Sequence, residues 1–274
     1  MWGCLGRCRG MEGPEGAAAL PSYLEGAAAL PSYLEGAAAL PSYLEGACEE
    51  ASEVNGCGVE GELTGIVLAG GASRRMGRDK AFLELGGRPL IEIVIERMSR
   101  VCAEVLVVAA PPSSDGDIPM VPDVRSYAGL GVPVVEDCFR DVGVLGGLHA
   151  GLEAAAHELT LAVGCDMPFL NPDLLRVFAG WAEEFDVVVL RHGDGERVEP
   201  LHAAYRRTCL PAIENAVRTG RRRIISFFSQ VRVRYATLDE VLPFDPHLRS
   251  FRNVNTPEEW DATRETWERG DWTA

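Results

Sequence analysis

The chain has 274 residues, of which 47% are apolar and 24% charged, enough for a substantial core in one large or two small domains. Its net charge of −15 argues against general nucleic-acid or anionic-membrane binding, and no run of 18 apolar residues is present to span a bilayer. Eight cysteines, at 4, 8, 48, 57, 102, 138, 165 and 209, form no C-x-x-C pair and no zinc-type Cys/His spacing, which fits free thiols in a cytoplasmic protein.

Residues 16–45 are three perfect copies of Gly-Ala-Ala-Ala-Leu-Pro-Ser-Tyr-Leu-Glu. The Gly and Pro of each copy interrupt any helix before it can bury a face, and a ten-residue period matches no solenoid unit. Residues 1–60 therefore read as a disordered, low-complexity extension, arising by tandem duplication or from a misassigned start codon, and 61–274 as the folded domain. The alternative for the tail is a partner-binding role for the repeated Tyr23, Tyr33 and Tyr43. Arg7 and Arg9 are followed by no unbroken apolar region, so a secretory signal is not expected. With nine Glu against those two Arg, the tail carries −7 of the net charge and leaves −8 to the body.

The body opens on an apolar run of strand type, Leu63 to Ala69, followed directly by Gly70 and Gly71. Glycines there let the backbone approach a ligand, and successive amide groups in such a turn form an anion-binding nest. Arg74, Arg75 and Lys80 add full charges. Lys80 is the one lysine among 26 basic residues; a compact ammonium in a glycine-rich loop suits a phosphate. The run has neither the G-x-x-x-x-G-K-[ST] nor the G-x-G-x-x-G spacing, which argues against a P-loop ATPase or a dehydrogenase.

Next, Pro89 opens a helix with Leu90, Ile91, Val94, Ile95 and Met98 at helical spacing, running up to Cys102. Strands are expected at Val105–Ala110, Val132–Glu136 and Leu159–Gly164, with a helix over Leu145–His157 between the last two. Asn171-Pro172 reads as an N-cap and first helical position, launching a helix to about Glu184. Strand character resumes from Asp186 to Leu190. Residues 191–199 are a hairpin or flap before a strand at Leu201–Tyr205, and Thr256-Pro257-Glu258-Glu259 predicts a capped helix start. Alternating strands and helices imply a single α/β domain of three layers, Rossmann-like, with a mostly parallel sheet and ligands collecting at the carboxyl ends of the strands.

At one such end, Gly164-Cys165-Asp166-Met167-Pro168 sets Asp166 just past a strand, where a carboxylate can hold Mg²⁺; capping the following turn is its alternative role. Val134-Val135-Glu136-Asp137 ends another strand ahead of Gly143-Val144-Leu145-Gly146-Gly147. Cys165 reads as a small buried apolar residue rather than a nucleophile, and His202 as structural rather than catalytic.

The run from Leu68 to Lys80 resembles the nucleotidyltransferase signature L-A-[AG]-G-x-[SG]-x-R-M-G-x-[DN]-K. Within that superfamily, the Leu-Ala-Gly-Gly start and the Asp79-Lys80 pair are most similar to the molybdenum cofactor guanylyltransferases, the MobA family. The resemblance extends over most of residues 63–260 and implies transfer of GMP from GTP to the phosphate of molybdopterin, with release of pyrophosphate. It implies Leu68, Ala69, Gly70, Gly71, Lys80, Asp137 and Asp166 around the nucleotide, with Lys80, Arg75 and Asp166 in catalysis. It places Mg²⁺ or Mn²⁺ on Asp166, and Arg222, Arg223, Asn253 and Asn255 on the acceptor side. Asp137 would select guanine, because a carboxylate can accept its N1–H and N2–H₂ donors. One departure is Ala109, where the family often has Asn near the base. The partners implied are GTP and molybdopterin, together with molybdopterin-synthesis proteins and recipient molybdoenzymes. The alternatives are a cytidylyltransferase on the same pterin, nucleotidyltransfer to a sugar phosphate or phospholactate, and a non-catalytic cofactor-delivery protein.

Overall fold

The computed structural model describes residues 63–69, 80–110, 124–137, 139, 142–193, 195 and 197–270. The extension at 1–60 and the loop residues Gly70, Gly71, Arg74 and Arg75 lie outside them.

Seven strands form the main sheet: β1 (Leu63–Leu68), β4 (Glu104–Ala109), β5 (Val134–Glu136), β6 (Leu159–Gly164), β7 (Val187–Arg191), β8 (Val198–Arg206) and β9 (Val233–Ala236). Their spatial order is β5-β4-β1-β6-β8-β7-β9. All pairings are parallel except those of β8, which runs antiparallel to both β6 and β7. Two further short strands, β2 (Glu84–Leu85) and β3 (Arg88–Pro89), make a small hairpin whose turn glycines, Gly86 and Gly87, both have positive φ.

The central strands are buried along their whole length because helices cover both faces. Leu63, Val67 and Ala69 pack on the side of α1 (Leu90–Ser99) and α3 (Pro172–Trp181). Ile66 and Leu68 face α2 (Val144–Ala154) and α4 (Leu210–Arg218). Helix α2 comes unusually close to the sheet: a Cβ on Gly151 would lie 2.7 Å from Ile66 Cγ2, and one on Gly147 3.2 Å from Leu68 Cδ2. After a short helix α5 (Leu238–Val241), the C-terminal helix α6 (Pro257–Glu268) closes the chain. Val254, Trp260 and Trp267 join Leu85, Leu90 and Ile93 in a third apolar cluster that docks α6 and its approach segment beside the β2–β3 hairpin.

The expected helices form but end earlier than periodicity suggests. Helix α1 stops at Ser99, not Cys102, as Arg100 N turns to Arg97 O and Val101 N to Met98 O. Helix α2 stops at Ala154 because the Glu104 carboxylate takes Ala156 N at 2.9 Å and the Thr64 hydroxyl takes His157 N, drawing the chain toward β1. Helix α3 closes at Trp181 through an Ala182 N to Ala179 O turn. Among the described residues no helix is long and apolar enough to cross a membrane.

Candidate active site

Strands β1, β4, β5 and β6 are parallel, so their carboxyl ends share one edge, and that edge carries the site. The end of β1 is fixed from three sides: Ala69 N donates to Val108 O at 2.8 Å, Cys165 N donates to Leu68 O at 3.1 Å, and the Tyr127 hydroxyl donates to Ala69 O at 3.1 Å. These bonds set where the loop after Ala69 departs. The chain re-enters the described structure at Lys80, the first residue of a 3-10 turn through Phe82, whose ring stacks on Tyr127 at 5.3 Å.

One strand over, Asp166 sits in the turn after β6. Its carboxylate folds back over Gly164, so closely that a Cβ on that glycine would lie 2.6 Å from Oδ1. Lys80 Nζ donates to Asp166 Oδ2 at 2.5 Å and to Asn255 Oδ1 at 2.8 Å, with both charged side chains mostly shielded from solvent. The segment Asn253-Val254-Asn255 is held against this turn by Val254 N donating to Asp166 O at 3.1 Å. It is held from behind by Glu259, whose carboxylate takes Asn255 N at 2.6 Å and Thr256 N at 3.0 Å as part of the capping box of α6. Asn253 Oδ1 is buried without a hydrogen-bond partner, an acceptor that a bound group could satisfy.

Asp137 follows β5, three strands from β6, which puts it about 14 Å across the edge from Asp166 at ordinary strand spacing. Its backbone N donates to Ala109 O at 2.9 Å and its Oδ1 accepts Phe139 N at 2.8 Å. A Cβ on Gly146, in the first turn of α2, would be 2.8 Å from that oxygen. Burial pushes the Asp137 carboxyl up to about 6, with the Phe139 amide and the nearby His149 pulling the other way. Ala109 contributes only its carbonyl here, and its side chain is buried.

The structure thus gathers Lys80, Asp166 and Asn255 into one hydrogen-bonded group, with Leu68 and Ala69 beneath it and Asp137 along the same edge. Arg222 and Arg223 are instead exposed, on the turn between α4 and the 3-10 segment Ile224–Gln230, which packs on the α2/α4 side. His202 is wholly buried against Phe178 and Phe251, neither ring nitrogen has a hydrogen-bond partner, and burial pushes its pKa down to about 4. Cys165 is buried in the α1/α3 cluster. Sequence reading missed three supporting residues: Glu259 as the brace of Asn255, Tyr127 as the clamp on Ala69, and His149, edge-on to Phe139 at 4.9 Å behind Asp137. The capping-box pattern already pointed to Glu259, whereas nothing in the sequence marks the other two.

The asp–lysine group can do two things chemically. A carboxylate with one further hard oxygen acceptor nearby suits Mg²⁺, which takes one or two protein carboxylates and fills its remaining positions from phosphate and water. No cluster of three or more metal-binding side chains exists among the described residues. The ammonium, in turn, suits a phosphate.

The model of the MobA-like NTP transferase domain matches residues 65–234. A probable molybdenum cofactor guanylyltransferase of Pelotomaculum thermopropionicum is 38% identical over 72% of this chain and 89% of its own length. The molybdenum cofactor guanylyltransferase of Desulfosudis oleivorans is 38% identical over 72% and 92%. The crystal structure of molybdopterin-guanine dinucleotide biosynthesis protein A from Archaeoglobus fulgidus superposes with a TM-score of 0.63 at 27% identity, covering 75% of this chain and 99% of that one. With the family model matching well over half the chain and close relatives matching nearly their whole length, the chain belongs to the MobA-like NTP transferase family and is a nucleotidyltransferase.

Proposed function

We propose that this protein transfers GMP from GTP to the terminal phosphate of molybdopterin, releasing pyrophosphate and forming a guanine dinucleotide of the cofactor. The observation that carries the reading is the meeting of Lys80 and Asp166 at the ends of β1 and β6, with Asp137 about 14 Å away on the same edge. A nucleotide lying across that edge has its base at Asp137 and its phosphates at Lys80.

In this reading Gly70, Gly71 and Arg75 surround the triphosphate together with Lys80, and Leu68 and Ala69 form the floor. Asp137, ionised above a pKa of about 6, accepts the guanine N1–H and N2–H₂. Asp166 would hold Mg²⁺, or Mn²⁺ in its place, which when bound supplies positive charge to the phosphate oxygens. The acceptor phosphate forms the new bond to the α-phosphorus as the bond to the pyrophosphate oxygen breaks. Lys80 neutralises the charge that builds on the α- and β-phosphate oxygens. No covalent enzyme intermediate is needed, and the acceptor phosphate is already ionised, so no general base is required. Asn253, with its unpaired buried oxygen, and the exposed Arg222 and Arg223 are the acceptor-side contacts, the arginines addressing phosphate.

The test is pyrophosphate release from each of the four nucleoside triphosphates, with and without molybdopterin. Release from GTP that requires molybdopterin is expected. Release from CTP in its place would make the protein a cytidylyltransferase on the same acceptor, and release with a sugar phosphate or phospholactate but not with molybdopterin would move it to another nucleotidyltransfer.

A further inference from the structure

Lys80 has three donors on its ammonium, and the structure shows two of them engaged, by Asp166 Oδ2 at 2.5 Å and Asn255 Oδ1 at 2.8 Å. The two partners differ in kind. Asp166 neutralises the ammonium and is itself the carboxylate that a divalent ion would claim. Asn255 is neutral: it holds the ammonium without cancelling its charge, and an amide oxygen competes weakly with a carboxylate for a metal.

Resting on the guanylyl-transfer reading above, we infer that Asn255 is a positioning residue for Lys80, holding the ammonium in place while Lys80 exchanges Asp166 for nucleotide phosphate. Once Asp166 turns to the metal, a lysine on a flexible four-carbon stem has many rotamers open to it and needs another restraint to stay aligned. Asn255 is itself well fixed. Its backbone N is held by Glu259 at 2.6 Å, the neighbouring Val254 N is bonded to Asp166 O, and the Val254 side chain is buried with Leu85, Leu90 and Ile93. This anchor lies beyond residues 65–234, the part that matches the family model, so the C-terminal helix α6 acts on the site through its own capping box.

The single lysine makes the inference directly observable, because protein grown on ε-¹⁵N-lysine has one labelled side-chain nitrogen. In the wild type the Nζ signal should show protected ammonium protons, and should move yet stay protected on addition of Mg²⁺ with the α,β-methylene analogue of GTP. In Asn255→Ala the protection should be lost with the analogue bound, and kcat should fall about tenfold with the molybdopterin KM changed less than twofold. Asn255→Asp, which keeps an acceptor oxygen but adds a charge that cancels the ammonium and can claim the metal, should restore the protected signal while kcat stays low. Both variants leave the backbone bonds of residues 254 and 255 in place, and matching circular dichroism checks that they fold.

An unchanged Nζ signal in Asn255→Ala would overturn the inference. So would a rise in molybdopterin KM, equal in the Ala and Asp variants, with kcat intact; that result would make Asn255 an acceptor contact through its N–H₂. If the wild type releases no pyrophosphate from any nucleoside triphosphate, the guanylyl-transfer reading fails, while the Nζ signal still decides whether Asn255 holds the lysine.

Discussion

Lys80 and Asp166 stand 86 residues apart in the chain and 2.5 Å apart in the fold, a cation and a carboxylate joined at the edge where the parallel strands end. Each is the partner the other must give up for the proposed chemistry, the ammonium to phosphate and the carboxylate to metal. Replacing Lys80 with Met keeps the stem and removes the charge. Turnover should fall by about two to three orders of magnitude, the range seen when one charge-stabilising donor is lost. Stability should drop by only about 1–2 kcal/mol, because Asp166 loses a partner but keeps some access to solvent. Asp166→Asn should give a comparable loss of turnover, and Mn²⁺ binding in the presence of GTP, followed by electron paramagnetic resonance, should weaken with it. Near-normal turnover in Lys80→Met would remove the ammonium from the mechanism.

On the proposed reading, Asp137 links base recognition to pH and to stability in opposite senses. Burial raises its folded pKa from 3.8 to about 6, so between those values the folded protein binds more protons than the unfolded chain. Stability from this group is therefore present at low pH and is lost as pH rises through about 4 to 6, by well under roughly 3 kcal/mol because the half-buried carboxyl is partly screened by solvent. Guanine recognition needs the ionised form, so the KM for GTP should rise as pH falls below about 6. Asp137→Asn keeps the acceptor for Phe139 N but has no charge to bury. It should raise Tm at pH 7 relative to the wild type and raise the KM for GTP at least tenfold, an amide being unable to accept both guanine donors. Thermal melts at pH 4.5 and 7, set beside GTP titrations, check both halves.

Two glycines separate the demands of the site from those of the core. On Gly164 a Cβ would lie 2.6 Å from Asp166 Oδ1, so Gly164→Ala should displace the carboxylate and cost most of the turnover. On Gly151 a Cβ would lie 2.7 Å from Ile66, beneath the sheet and away from the edge. Gly151→Ala gains up to about 1 kcal/mol of helix propensity but overpacks the core by about 1–3 kcal/mol, so Tm should fall while kcat holds. Steady-state kinetics and melts on the same preparations distinguish the two, and a Gly164→Ala enzyme with full turnover would show that the Asp166 rotamer is not used.

What the sequence reveals follows from how local each signal is. The central strands are legible because burial on both faces leaves an apolar run interrupted by a single threonine, as in Leu63–Leu68 and Leu159–Gly164. The caps at Asn171 and Thr256 are legible because a cap and its donors lie within three residues of each other. Strand β9, with an arginine among its four residues, gives no comparable pattern and finds its place only through a long-range pairing with β7, whereas the β2–β3 hairpin pairs locally across Gly86-Gly87 but has strands of two residues, too short to show a period. The site divides the same way. Asp166 and Asp137 announce themselves by their place at strand ends. The bond from Lys80 to Asn255 spans 175 residues, and no spacing rule could bring that pair together.

His202 tests the reverse expectation, that a buried polar group need not serve the site. Its ring is wholly inaccessible, packed edge-on to Phe178 at 5.2 Å and against Phe251 at 4.4 Å, with both nitrogens unpartnered. Burial holds it neutral, its pKa pushed down to about 4. An unpaired buried donor or acceptor costs roughly 1–3 kcal/mol, so an apolar side chain of similar volume should relieve that cost. His202→Leu is expected to raise Tm or leave it level, at the expense of one aromatic contact, with kcat and both KM values unchanged. The pH dependence of stability should also change. The wild-type imidazole has a folded pKa below its ordinary value of 6.5, so its neutral form contributes stability that is fully present above about 6.5 and lost as pH falls toward 4. The Leu variant has no such group and should keep more of its stability between pH 6.5 and 4, which melts across that range would show. A large loss of turnover at unchanged Tm would instead place His202 in the chemistry and overturn its structural assignment.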